Sequence, residues 1–205
     1  LISLKPWTDT LQVKLVEAAL AAAPELSAPY TAHLFFSNGA NDPKLTSFYI
    51  GQTLLLTKIV QLPIPKEFAS MTKKYIETSS GETASNSQSP SSYFNTKILM
   101  EVVCPSSLTK SAIQKGLTAP EQLIRHLTSQ LVISVLQKYF KLSKLLSMNE
   151  NSVLAPIRNE LQDSLSNLKL PDPSVFVGIT NECLKAEAVN KLLLLNYMKA
   201  AEYYY

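Results

Sequence analysis

Apolar residues recur every three or four positions through most of this chain, and prolines stand where most of the apolar blocks end. That spacing is one face of an α-helix, and no strand-type alternation persists beyond a few residues. The block TDTLQVKLVEAALAAAP (8–24) opens on Thr8 or Asp9 as an N-cap and closes at Pro24. Leu11, Leu15, Ala18 and Ala22 form its expected buried stripe. SAPYTAHLFFSNG (27–39) follows, with Ser27 as cap and Gly39 as a left-handed stop. NDPKLTSFYIGQTLLLTKIVQLPIP (41–65) is expected to begin on Asp42 with Pro43 in the first helical position, and to end at Pro63. PKEFASMTKKYIE (65–77) predicts a shorter helix.

Residues 78–92, TSSGETASNSQSPSS, have no apolar period and read as a flexible polar loop. Ser89-Pro90 within it is either a phosphorylation site or part of an inert linker. Helices resume in SSYFNTKILMEVVCP (91–105), SLTKSAIQKGL (107–117) and QLIRHLTSQLVISVLQKYFKLSKLL (122–146). NSVLAPIRNELQDSLSNLKLP (151–171) carries Pro156 either in its first turn or at a kink. One or two more helices fill residues 174–205. The pattern thus predicts an all-α fold of about nine helices.

Segment 122–146 is too apolar for a helix with one buried face. At 100° per residue its apolar side chains cover about half the circumference. Ile133, Leu136 and Phe140 form a second, narrower stripe. Such a helix meets neighbours on two sides, as an inner helix of stacked layers does. Short Pro-punctuated helices beside longer ones suit an irregular armadillo/HEAT-like α-solenoid, although no repeat of about 40 residues recurs. The single helical-repeat domain is taken as residues 1–205. The absence of an initial Met and the ending at Tyr205 suggest a fragment of a larger protein. Arg125 sits between the two apolar sectors, where its guanidinium is expected to reach the carbonyls ending a neighbouring helix, or an acid there. His126 falls on the polar side with Gln137 and Lys144.

Composition narrows the chemistry. Glycine is scarce, at five residues, and isolated, so no phosphate-cradling loop exists. His33, His126, Cys104 and Cys183 are scattered singly, which predicts no metal site and no activated thiol. Two cysteines make no disulfide framework, and no Asn-x-Ser/Thr site occurs. No enzyme motif, cofactor motif or small-molecule substrate site is recognisable, and no apolar run approaches the length of a membrane span. The net charge of +3 conceals an asymmetry. Between Val102 and Asn149, Lys110, Lys115, Arg125, Lys138, Lys141 and Lys144 face one acid, Glu121. Two readings of these lysines stay open. They follow phosphates, or their stems cover apolar surface while their heads stay in water.

Three stretches in order resemble the N-terminal domain of the nucleolar pre-ribosomal-associated protein 1 family. They are residues 41–65, PSSLTKSAIQKGLTAPEQLIRHLTSQLVISVLQKYFK (105–141) and LKLPDPSVF (168–176). The resemblance implies a helical-repeat fold, a location in the nucleus and nucleolus, no catalysis, and a role in holding early precursor rRNA of the large (60S) subunit. Implied partners are pre-rRNA, small nucleolar RNAs and assembly factors including a DEAD-box helicase, with no membrane. The resemblance supplies no residue-level RNA contacts. The candidate RNA- or partner-binding residues Lys110, Lys115, Lys138, Lys141 and Lys144 rest on charge, and Arg125 is expected to be structural. The rival reading is a protein–protein interaction module that does not bind RNA directly.

Overall fold

The computed structural model describes residues 1, 3–36, 43–65, 95–147, 154–185 and 190–203. They are all-helical, in nine α-helices with no strand among the described residues. These are α1 (Thr10–Ala22), α2 (Ser27–Phe36), α3 (Ser47–Gln61), α4 (Thr96–Val103), α5 (Lys110–Leu117), α6 (Gln122–Ser147), α7 (Ala155–Ser164), α8 (Pro173–Lys185) and α9 (Lys191–Glu202). Gly39, Asp42, the helix expected over 65–77 and the loop expected over 78–92 lie outside the described residues.

Short polar side chains start the helices. Asp9, Thr46, Asn95, Thr109 and Asn190 each accept a hydrogen bond from a backbone N–H of the first turn that follows. Asp9 is the cap expected for α1. The third helix begins later than expected, on Thr46, leaving Pro43 outside it. Ser27 does not cap α2 either. A 3-10 turn, Pro24–Leu26, runs directly into Ser27 as the first helical residue. Pro156 lies in the first turn of α7, where its missing N–H is harmless. That helix ends in a π-turn, Leu165–Lys169, closed by Leu170 N–H to Leu165 O at 2.9 Å.

Helix α6 is the axis of the fold. Helices α3, α4, α5, α7 and α9 all pack on it, and every residue from Leu131 to Leu136 is buried. Its excess apolarity therefore reflects neighbours nearly all round, more than the two expected. Gly116 lets α5 approach closely: a Cβ there would meet Thr128 Cγ2 at 2.9 Å. Gln61 Nε2 donates to Ser134 Oγ at 3.0 Å across the α3–α6 seam.

Helix α3 joins two clusters of the core. Its Leu56 and Val60 belong to the large cluster around α6, while Leu55 and Ile59 pack with Val16, Leu20 and Tyr30 of α1 and α2. Here the stripe expected on α1 is overturned. Leu11 is 72% exposed and Leu15 55%, whereas Val16 and Leu20 are fully buried. Apolar residues nearly encircle this helix, so periodicity leaves its inner face open, and packing against α3 and Tyr30 of α2 selects it.

Candidate functional site

The five candidate lysines do not form one stripe. Lys110, at the start of α5, is half-buried, and its Nζ lies 3.5 Å from the Asn167 carbonyl in the π-turn. Lys115 is exposed near the end of the same helix. Lys141 and Lys144 are exposed on the last turns of α6. Since Gly116 rests on Thr128, Lys115 and Lys144 are separated by about 24 Å along the α6 axis at 1.5 Å per residue. They mark two basic places on the surface.

Lys138 is not on the surface with the others. It is only 8% exposed, because α6 presents it towards α3 and α4 rather than to water. It lines a cavity of about 460 Å³ where the ends of α1 and α3, the start of α2 and the side of α4 meet the side of α6. The walls are largely apolar, with Leu20, Ile59, Val60, Ile98 and Val102 among them, and Pro24, Pro63, Pro65 and Pro105 stiffen the turns around it. Burial, aided by the like charge of Lys141, pulls the Lys138 amine down to a pKa of about 8. Glu101 is the acidic lining residue, and its Oε2 already accepts the Ser106 N–H at 2.8 Å.

Arg125 Nε donates to the Ala119 carbonyl just beyond α5, so its guanidinium ties the end of that helix to the start of α6. His126 belongs to a polar seam between α6 and α9. Asn196 Nδ2 lies 2.7 Å from His126 Nδ1, and Gln130 Nε2 donates to Asn196 Oδ1 at 2.8 Å. Gln137 Nε2 reaches the Tyr203 hydroxyl at 3.1 Å, and Asn190 Nδ2 reaches Gln122 Oε1 at 2.8 Å. The polar side of α6 is thus partly an interface.

Cys104 is completely buried, and desolvation pushes its thiol up to about 12; Cys183 is buried and raised for the same reason. Among the described residues no group of three His, Cys, Asp or Glu side chains is placed to hold a metal ion. No described helix is long and apolar enough to cross a membrane.

These features define an all-helical domain with separated basic places, a polar helix seam and a lined cavity. Comparison with known proteins supplies its family. The Npa1 family model, described as ribosome 60S biogenesis N-terminal, matches residues 1–52. Over 204 residues, 98% of its length, the chain is 32% identical to nucleolar pre-ribosomal-associated protein 1 of Saccharomyces cerevisiae. The chain belongs to the family of that protein, as the three resembling stretches led one to expect. It spans about a tenth of the length of the yeast relative. No solved structure matches it.

Proposed function

We propose that this chain is a non-catalytic scaffold element of early 60S ribosome assembly, acting in the nucleolus and holding precursor rRNA together with assembly factors. Its family membership carries the proposal, since the relative is a nucleolar pre-ribosomal protein and the matching model is named for 60S biogenesis. The helices form part of an irregular armadillo- or HEAT-like solenoid, with residues 1–205 as one domain. Lys141 and Lys144, with Lys115 and Lys110, contact RNA phosphates; Lys138 is buried and takes no part. Such contacts hold RNA without reading its bases. Small nucleolar RNAs and a DEAD-box helicase are further partners in this reading.

Salt titration of binding to a single-stranded RNA tests it. Each phosphate contact contributes roughly 0.7 to the slope of log affinity against log salt. Lys141→Glu with Lys144→Glu should therefore weaken binding and flatten the slope by about 1.4. An unchanged slope removes these lysines from the interface.

A second reading has its own observation. Leu192, Leu195 and Met198 form an exposed stripe on α9, each more than half accessible. An apolar stripe of that kind suits a protein helix, not RNA. No RNA binding at all by the native chain would favour this protein-interaction module.

A further inference from the structure

We propose that the cavity between α1, α2, α3, α4 and α6 receives a short acidic-apolar peptide of a partner protein, with a carboxylate against Lys138 and an apolar side chain against Leu20, Ile59 and Val102. The Lys138 amine has no counter-charge among the described residues. Lys138 is more than nine-tenths buried and lines the cavity. Among the described residues no carboxylate pairs with it, and Glu101 is engaged by the Ser106 N–H. A buried ammonium without a counter-charge is a costly arrangement, and a ligand carboxylate supplies the missing partner.

The walls select the rest of the ligand. A nucleic-acid backbone needs several cations, and this cavity offers one amine among apolar side chains. A volume of about 460 Å³ lies within the common range of ligand pockets. It admits a few side chains, not a folded element. The last turns of α1, α3 and α4 and the first turn of α2 border the cavity, and apart from the capped Ala19, Ile59 and Met100 carbonyls the final carbonyls of a helix have no intrahelical partner. A peptide backbone brings N–H donors for such carbonyls, an apolar side chain for the walls and a carboxylate for the amine. This proposal is independent of RNA binding and stands or falls separately.

Phage-displayed random heptapeptides panned on the 205-residue chain test it, followed by fluorescence anisotropy with the recovered peptides. The expected consensus is an aspartate or glutamate beside a leucine, isoleucine or phenylalanine. Lys138→Met keeps the side-chain length but loses the charge, and should weaken binding about thirtyfold or more, as does loss of one member of a buried charge pair. Replacing the peptide's acid by its amide should weaken binding to the native chain by a similar factor, which needs no protein variant. Val102→Trp fills the cavity and should block binding. Lys97→Gln, an exposed lysine on α4, should leave it unchanged. The proposal is overturned if no acidic-apolar peptide is enriched, or if the peptides bind Lys138→Met as tightly as the native chain. Binding that appeared only after excision of residues 66–94 would make the chain its own occupant and would equally overturn it.

Discussion

Replacing Lys138 by methionine should make this protein more stable. The unfolded chain holds the lysine proton with a pKa near 10.5, while burial lowers the native value to about 8. At about 1.4 kcal/mol per pH unit, that drop corresponds to roughly 3 kcal/mol of native-state destabilisation. The sign follows from proton counting. Below about pH 8 both states carry the proton and the whole penalty applies. Between about 8 and 10.5 the native state releases its proton first, so stability rises with pH; above 10.5 the penalty is gone. The charged groups around the amine are Lys141, one turn on, and Glu101 in the cavity wall. Methionine retains the unbranched shape with no charge, so its packing loss is expected to be below about 1.5 kcal/mol. Lys138→Met should therefore gain about 2 kcal/mol at pH 7, or roughly 4–8 °C in Tm for a chain of this size. Urea unfolding followed by far-ultraviolet circular dichroism at steps from pH 6 to 10.5 gives the difference between variant and native chain directly. The gain should shrink steadily above pH 8. A variant less stable than the native chain at pH 7, or a difference that ignores pH, refutes the buried-cation reasoning.

Asn196 is 4% exposed and serves two partners, so Asn196→Ala should cost about 2–3 kcal/mol in urea unfolding, and a cycle with Gln130→Ala should show coupling above about 0.5 kcal/mol. Strict additivity would mean that the α6–α9 seam is not cooperative. Arg125→Ala should lower stability by about 1–2 kcal/mol through loss of the bond to Ala119, while exposed Lys141→Ala should stay within about 0.5 kcal/mol; equal melting temperatures would show that Arg125 does not hold α5 to α6. Cys104 becomes a thiolate only near pH 12, so a thiol reagent at pH 8 should leave it unlabelled in the native protein and label it in urea.

Helices and their central member were legible because periodicity and capping residues are local signals. The 122–146 segment shows this best, since its apolar sectors exceeded what one neighbour can cover. Faces were less legible where apolar residues nearly encircle a helix, as in α1, because the partner that selects the face lies far along the chain. The same distance hid the α6–α9 seam: His126, Gln130 and Gln137 look like a solvated face until Asn196 and Tyr203, nearly 70 residues away, are packed against them. Lys138 is a different case, because its signal was present. On the 100° wheel it falls 60° from Leu123, between Leu127 and Leu131, inside the wide apolar sector. Lys141 falls at the edge of that sector, level with Leu123, and Lys144 lies 60° outside it, so these three lysines comprise one buried and two exposed. The cavity had no signal in the sequence, since its walls come from five separate helices.

The stability penalty and the proposed peptide site make one linked prediction. A carboxylate seated against Lys138 favours the protonated amine, so binding raises its pKa from about 8 back towards the ordinary lysine range. Below pH 8 the free site is already charged and affinity should be constant while the peptide acid is ionised. Above pH 8 the empty site loses its proton, and each further pH unit should weaken binding up to about tenfold until the bound amine also titrates. Anisotropy titrations from pH 6 to 10 measure this, and Lys138→Met should abolish the trend along with most of the affinity. An affinity flat from pH 6 to 10 would show that the amine is not the group the peptide meets, even if peptides bind elsewhere. The pH profile therefore separates a site built on the buried lysine from adhesion to the apolar walls alone.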